Sequence, residues 1–335
     1  MKKATKAALI SACVLIAVGV VLCVLSFAAA HGDWNAYEVD SDAYLSKTER
    51  YDSKQVSALI FTDSSCDVEL IRTTGSDLII YYNEGEKSGY DFSLADDGTL
   101  TVSFRSERKW YEWFSLSFGG PTHKTVIAVP DGYVGDIEIR LESANLMVGS
   151  LSTNGALAIA TASGDITLTQ AELAGALSVL TTSGDIRVSS CTAGDVSVHS
   201  TSGDAFVDSL TCLYLDVSTI SGDMDMQNIR CADSLKLTST SGDIEAHALT
   251  AANDLQGQST SGNIDLRELH VQNLALVSAS GNIHAEIYAK KEDYRISTST
   301  TSGNVHVPEA YGSEKSIEAK TTSGNIRIIF LSEKA

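Results

Sequence analysis

Acidic and histidine side chains recur in this sequence at intervals of about 20 residues. Asp225, Glu245 and Asp265 each stand three residues after the glycine of a short repeated motif, and His284 and His306 hold that position in the next two repeats. If the repeats stack, one surface carries three carboxylates and two imidazoles, the histidines on neighbouring layers. Such a row could bind a metal ion or a cationic partner, or cleave a polysaccharide. A solvated acidic face is the alternative, and short repeats offer no wall to hold a sugar.

An acceptor side chain directly follows each motif glycine. It is Asp in the first five repeats and Asn in the last four: Asp165, Asp185, Asp204, Asp223, Asp243, Asn263, Asn282, Asn304 and Asn325. Stacked carboxylates repel one another, and Ca²⁺ could relieve that repulsion. Because Asn replaces Asp freely, the position needs an acceptor oxygen rather than a charge, as turns do. The row favours turn structure, with calcium binding as the alternative.

An aromatic segment interrupts the regular alternation of the sequence. Trp110, Tyr111, Trp113 and Phe114 are nearly consecutive. They could form an exposed patch for a glycan, a peptide or a lipid headgroup region. A hairpin packed on the side of the domain is the other interpretation. If a ligand site exists, this segment is the first candidate.

Cysteine spacing predicts one close pair. Cys212 and Cys231 each lie nine residues after a motif glycine, so stacking places them in adjacent layers, within the Cα separation of a disulfide. We favour buried free thiols for this pair, and a disulfide is the alternative. The sequence has no G-x-S-x-G, no H-E-x-x-H and no Cys/His spacing typical of zinc. We therefore predict no catalytic residue, no metal ligand and no cofactor.

An internal repeat positions all of these residues. The motif Ser-Gly-[Asp/Asn] occurs nine times, and we interpret it as a structural turn. Its glycines are Gly164, Gly184, Gly203, Gly222, Gly242, Gly262, Gly281, Gly303 and Gly324. Glycine tolerates the positive φ of a sharp corner. Repeats of this length are too short for helix pairs.

Apolar residues alternate with polar ones on both sides of each motif. They stand seven residues before the glycine, as Leu157 and Leu177 do, and two and four residues after it, as Ile166 and Leu168 do. Alternation predicts two half-buried strands per repeat, and only stacking buries their apolar faces. We predict an all-β, right-handed, single-stranded parallel β-solenoid with rungs of about 20 residues.

Residues 56–150 are β-rich but irregular. Strands are predicted at Val56–Phe61, Val68–Arg72, Leu78–Tyr82, Leu100–Phe104, Thr125–Val129 and Ile137–Leu141. We interpret this region as early rungs with a hairpin insertion that covers the first edge of the solenoid. The last strand, 326–331, leaves the opposite edge with little cover, so end-to-end association is conceivable.

The N-terminus carries a membrane signal. Three lysines lie within residues 1–6, and residues 7–30 contain no charge. As a helix these span about 36 Å, enough to cross a bilayer core of about 30 Å. The lysines place the N-terminus in the cytoplasm and the rest outside. Ala28-Ala29-Ala30 offers a cleavage site, but the apolar segment is longer than that of a usual signal peptide.

The charge balance excludes one class of partner. The net charge is −19, and the part beyond the membrane segment is more acidic still, because three lysines precede that segment. Phosphate backbones are repelled by such a surface, so nucleic-acid binding is excluded. Cationic peptides, a cell-wall component or an envelope protein are the expected partners.

The motif Thr181-Thr182-Ser183-Gly184-Asp185-Ile186, repeated as Thr321-Thr322-Ser323-Gly324-Asn325-Ile326, resembles that of the bacterial "putative adhesin" family. The resemblance covers about residues 56–330. It implies a membrane helix followed by an exported β-solenoid, without established catalytic residues, and some members resemble parts of envelope-stress systems.

These observations predict a single-pass cell-membrane protein with a non-catalytic, extracellular binding domain. Its segments are a cytoplasmic leader 1–6, a signal-anchor helix 7–30, a linker 31–55, early rungs and cap 56–150, and regular rungs 151–335. The alternatives are a polysaccharide-active β-helix enzyme and an accessory subunit of envelope-stress signalling.

Overall fold

The computed structural model describes residues 18–22, 24–25, 27–28, 45–107 and 124–332. Residues 18–22, 24–25 and 27–28 are helical. Among all the described residues, no helix is both long enough and apolar enough to cross a membrane. Most of the predicted membrane segment 7–30 lies outside the described residues.

Two compact units make up the chain. The larger comprises Lys47–Tyr82, Asp91–Phe104 and His123–Ala335 and contains the repeats. The smaller comprises Met1–Ser46, Asn83–Tyr90 and Arg105–Thr122. In its described part, the backbone N–H of Gly85 donates to the carbonyl of Ser88 at 2.9 Å, which closes a tight turn.

Strands dominate the described chain from residue 45 onward. The first nine are β1 (Leu45–Asp52), β2 (Ala58–Asp63), β3 (Asp67–Thr73), β4 (Asp77–Glu84), β5 (Ser88–Leu94), β6 (Thr99–Ser106), β7 (Lys124–Pro130), β8 (Asp136–Leu141) and β9 (Leu146–Gly149). The next ten are β10 (Ser152–Thr153), β11 (Leu157–Thr161), β12 (Ile166–Thr169), β13 (Glu172–Leu173), β14 (Leu177–Thr181), β15 (Ile186–Thr192), β16 (Asp195–Ser200), β17 (Ala205–Cys212), β18 (Tyr214–Thr219) and β19 (Met224–Cys231). The last ten are β20 (Leu235–Ser239), β21 (Ile244–Ala251), β22 (Asp254–Ser259), β23 (Ile264–Leu269), β24 (Asn273–Ser280), β25 (Ile283–Tyr288), β26 (Tyr294–Ser302), β27 (Val305–His306), β28 (Lys315–Ser323) and β29 (Ile326–Leu331). Within the part of the chain that the structure describes, two short 3₁₀ helices lie at Ser53–Gln55 and Lys291–Asp293.

The strands form two large sheets, as the repeat predicts. Each Ser-Gly-[Asp/Asn] corner joins a strand of one sheet, here sheet B, to the next strand along the chain, which lies in the other sheet, sheet A. Two consecutive strands of this kind, in the early irregular part as in the repeats, are called a rung. Successive rungs pair in parallel, with Leu157 beside Leu177 in sheet B and Ile166 beside Ile186 in sheet A. The predicted inward residues are buried outside the edge rung; Leu157, Leu177, Ile166 and Ile186, for example, are 0–1% exposed. The all-β solenoid, of about ten turns, is therefore confirmed.

The C-terminal rungs do not follow sequence order in space. In sheet B the order is β24, β28, β26, and in sheet A it is β25, β29, β27. The rung of residues 315–331 therefore lies between its two predecessors. The prediction that 326–331 forms the uncovered edge is wrong, because the edge rung is β26 and β27. Accordingly Val305, at a position buried elsewhere, is 44% exposed.

The other end of the solenoid shows the same arrangement. The rung of β2 and β3 lies between the rung of β6 and β7 and that of β8 and β9. Each strand predicted in 56–150 is present, with bounds that differ by one or two residues. Strands β5 and β6 are neighbours in sheet B and form a hairpin at a place that the sequence did not predict, closed by a hydrogen bond of 3.0 Å from Ala95 N–H to the Thr99 carbonyl.

A row of left-handed residues bends sheet A. Seven non-glycine residues have φ between 50° and 58°, and except for Ser150 each lies six residues after a motif glycine: Ser150, Gln170, Ser190, Ser209, Asn228, Ala248 and Glu268. The next residue in each strand, such as Leu210 or Leu249, points inward and is buried. Two consecutive residues thus face outward before the alternation resumes, as in a β-bulge. We call this row the kink row.

Candidate functional site

The repeat glycines are required because neighbouring backbones approach closely. A Cβ on Gly184 would lie 2.0 Å from the carbonyl oxygen of Gly164, and one on Gly222 would lie 2.1 Å from that of Gly203. Apart from Gly324, no repeat glycine has a positive φ. The predicted reason, a positive φ at the corner, is therefore wrong for these positions. The left-handed residues lie in the kink row instead.

The Asp and Asn side chains form a continuous ladder along the corners. Each Oδ1 accepts the backbone N–H of its counterpart on the next rung; Asp185 N–H, for example, donates to Asp165 at 2.9 Å. The ladder starts at Asp67 and Asn145 and ends with Asn304 N–H donating to Asn325 at 2.8 Å. One oxygen of each side chain thus serves as a turn acceptor, which Asp and Asn provide equally.

The structure offers no metal centre in the described part of the chain. No group of three or more His, Cys, Asp or Glu side chains there could hold a metal ion. The ladder carboxylates bond backbone amides on neighbouring rungs. The geometry thus supports the turn interpretation of these residues over the calcium alternative.

The predicted acidic row is assembled on the outer face of sheet A. Asp225 pairs in register with Glu245, and Glu245 with Asp265. Together with Gln227, His247 and Arg267 they line a shallow groove of about 210 Å³. Gln227 Nε2 donates to Asp225 Oδ1 at 3.1 Å.

Of the three carboxylates in the row, Asp265 has the closest contacts with basic side chains. Arg267 donates to both of its oxygens, at 3.0 and 2.7 Å, and His284 Nδ1 lies 3.2 Å from Oδ1. The hydrogen bonds from Arg267 lower the pKa of this carboxyl, and the charge of His284 contributes less. Asp265 is therefore an ionised acceptor at neutral pH.

The two histidines of the predicted row are not neighbours. His284 pairs with Arg327, and Arg327 pairs with His306, because the last rung is interposed. The prediction of two histidines on adjacent rungs is thus wrong. His284 instead lies between Asp265 and Glu286, whose Oε1 is 3.5 Å from Nε2.

Two further predicted features have different outcomes. Cys212 and Cys231 pair in register on adjacent strands, as predicted, with 3.2 Å between their sulfur atoms, and both are buried free thiols. Buried free thiols are the interpretation that the sequence favoured for this pair. The aromatic segment with Trp110, Tyr111, Trp113 and Phe114 lies outside the described residues.

A second groove, which we call the corner groove, was not predicted. It holds about 400 Å³ and runs across successive rungs beside the kink row. One wall is Ser209, Asn228, Ala248 and Glu268, all members of the kink row. The other wall is Thr211, Arg230, Thr250 and His270, and Tyr288 lies at one end. A signal existed in the sequence, because inward residues such as Met226 and Ile229 are separated by an odd number of positions, which strict alternation forbids.

Comparison with known protein families gives a match over most of the chain. The family model described as Toastrack DUF4097 matches residues 56–259 and 250–335. No curated protein matches the chain.

Several solved structures are similar to this chain at low sequence identity. A "putative adhesin" from Bacteroides fragilis is 16% identical, with 87% of this chain and 99% of that chain covered and a TM-score of 0.38. A "putative lipid binding protein" from Parabacteroides distasonis is 15% identical, with 86% and 97% covered and a TM-score of 0.41. A "putative cell adhesion protein" from Clostridium sporogenes is 10% identical, with 86% and 100% covered and a TM-score of 0.29. Similarity this loose assigns no ligand to the chain.

Proposed function

The chain belongs to the Toastrack DUF4097 family, and from this premise we propose that it is a non-catalytic surface-binding module, anchored in the cell membrane and exposed outside it. The lysine-bearing leader and the uncharged segment 7–30 support the anchor and its orientation. The solenoid then stands on the extracellular side as a rigid platform.

One observation supports a binding surface on this platform. Three consecutive rungs present carboxylates in register, at Asp225, Glu245 and Asp265, along a shallow groove. The chain as a whole is acidic, at −19. Charge complementarity therefore favours a cationic partner, such as a basic peptide segment of an envelope protein or a cationic cell-wall component.

The test must separate this row from the general acidity of the chain. The full-length protein in phospholipid nanodiscs is titrated with an octalysine peptide. The variant Asp225→Asn, Glu245→Gln, Asp265→Asn removes three charges from the row. Its control, Glu138→Gln, Asp195→Asn, Glu318→Gln, removes three charges from sheet B. We expect at least tenfold weaker binding for the first variant and less than twofold weaker binding for the control. Equal losses in the two variants would refute the row as the site.

The three carboxylates of the acidic row are less suited to catalysing glycoside hydrolysis than to binding a cation. A glycosidase needs a general acid whose pKa is raised, whereas the pKa of Asp265 is lowered by Arg267. Asp225 accepts a hydrogen bond from Gln227. An enzymatic function at this row would be supported only by polysaccharide cleavage that disappears in the same triple variant.

An accessory role in envelope-stress signalling is a second proposal. The uncharged segment 7–30 would contact a neighbouring membrane protein directly. Replacing it with an unrelated membrane span of equal length should abolish crosslinking to that neighbour while the solenoid keeps its affinity for octalysine. Unchanged crosslinking would contradict a role for the helix.

A further inference from the structure

We propose that the corner groove binds a neutral, extended, β-linked glycan that lies along the solenoid axis. This inference concerns a surface and a ligand class different from those of the cationic partner proposed above. Loss of cation binding at the acidic row would leave glycan binding in the corner groove unaffected, and the reverse also holds.

The groove depends on strained backbone. Four residues of one wall, Ser209, Asn228, Ala248 and Glu268, have φ between 54° and 58°. None is glycine, and only Asn belongs to the types that favour this region. Strained residues concentrate at functional sites, where the surrounding structure holds them. Here the strain turns one row of side chains away from the next and opens the groove between them.

The charge of the groove selects against ionic ligands. Its lining carries one arginine, Arg230, and one carboxylate, Glu268; the other walls are hydroxyl, amide, methyl and aromatic groups. The groove is therefore close to neutral in a chain of net charge −19. A polycation would be held more strongly by the acidic row, and a polyanion would be repelled by the chain. A neutral ligand that forms many hydrogen bonds fits best.

The spacing of side chains along the groove favours an extended glycan over an extended peptide. Thr211, Arg230 and Thr250 lie side by side in register, and His270 is bridged to Thr250. One polar side chain thus recurs at each rung, about every 4.8 Å. Two rungs, about 9.6 Å, are close to the length of one disaccharide in an extended β-1,4-linked chain, in which every second sugar presents the same face. Side chains on one face of an extended peptide recur about every 6.6 Å, so a peptide loses register within two rungs.

The end of the groove supplies an apolar surface. The kink row stops after Glu268, where the register between β23 and β25 shifts. The rings of His270 and Tyr288 stack there, with centroids 5.0 Å apart and planes at 17°. Aromatic rings with a polar edge suit a sugar, which has apolar C–H faces and polar hydroxyls.

The experiment uses the full-length protein in phospholipid nanodiscs, because sugar-based detergents would compete. Cellotetraose and chitotetraose are titrated by calorimetry and by ligand-observed NMR. Thr250→Val removes a hydroxyl at constant shape, and Tyr288→Leu removes the ring. The controls are Thr167→Val, a half-buried outward threonine of the same sheet, and Tyr311→Leu, an 88% exposed tyrosine outside the groove.

We expect saturable binding of at least one tetrasaccharide. Each groove variant should weaken it at least fivefold, and the controls less than twofold. The absence of binding for both sugars, equal losses in groove variants and controls, or equal affinity for a tetraserine peptide would each overturn the inference. Octalysine affinity, measured in the same variants, should be unchanged.

Discussion

The backbone N–H of Asn325 donates to the side-chain oxygen of Asn282 at 2.9 Å, although the two residues are 43 positions apart. In a solenoid that stacked in sequence order, Asn282 would instead bond Asn304. The interposed rung thus continues the turn ladder without interruption. Because the ladder needs only an acceptor and an N–H at each level, it accepts rungs in either order.

Removal of the interposed rung (β28 and β29) should leave the edge rung (β26 and β27) without its pairing partner. Strands β26 and β27 pair only with β28 and β29 among the described strands. A chain that stops after Glu314 should lose hydrogen-exchange protection at residues 294–306, whereas a chain that stops after Ser332 should keep it. Full protection in the shorter chain would mean that β26 pairs directly with β24.

Substitution of a repeat glycine should be costly. In Gly222→Ala, the new Cβ would lie 2.1 Å from the carbonyl oxygen of Gly203, so the stacked backbones must separate. We expect a loss of about 3 kcal/mol in the free energy of unfolding, measured by urea denaturation. The control is Gly149→Ala, where a Cβ would meet nothing within 4 Å. Equal stability losses would show that close packing is not the reason for the glycine.

A glycine introduced in the kink row should increase stability, in contrast to the loss expected when a repeat glycine is replaced. Ala248 has φ of 58°, and Ala246, two positions earlier in β21, is a buried residue without positive φ. Ala248→Gly should raise the free energy of unfolding by about 0.5 kcal/mol, because relief of strain outweighs the entropy of the unfolded glycine. Ala246→Gly should lower it by about 1 kcal/mol. Destabilisation of similar size at both positions would argue against a strained row.

The ion pair of Asp265 and Arg267 should make a small pH-dependent contribution to stability. The pKa of Asp265 is lowered in the folded state, so the contribution is present above the unfolded pKa of about 3.9. It is lost as the pH falls through the lower, folded value. Because both side chains are partly exposed, solvent screening keeps this contribution small.

A double-mutant cycle of Asp265→Asn and Arg267→Gln measures this contribution. The coupling free energy should be positive near neutral pH and absent well below pH 3. Coupling that persists in acid would show that the carboxylate charge is not its source.

Local sequence pattern was sufficient for the rungs but not for their order. Alternation around Gly184 places Leu177 and Ile186 in the core, and the positions of Cys212 and Cys231 in the repeat place them on adjacent strands. All rungs share that pattern, so nothing local distinguishes the partner of Asn282. The order is visible only in burial, since Val305 of the edge rung is 44% exposed whereas its register partner Ile326 in the interposed rung is buried.

Register was sufficient to predict which outward residues lie side by side, whereas the backbone conformation that forms the second groove was not predicted. Asp225, Glu245 and Asp265 lie together because parallel strands repeat one position at each rung. The corner groove depends on left-handed residues such as Ala248, whose type does not favour that conformation. The available signal was the separation of inward residues such as Met226 and Ile229 by three positions, which strict alternation forbids.

The central functional proposal is tested most directly by locating a bound cation. Hydrogen exchange of the full-length protein in nanodiscs is compared with and without saturating octalysine. We predict added protection in β19, β21 and β23 of sheet A, centred on Asp225, Glu245 and Asp265, and none in β16, β18 and β20 of sheet B. Protection confined to residues 108–123, or spread evenly over both sheets, would contradict a binding site on the acidic row.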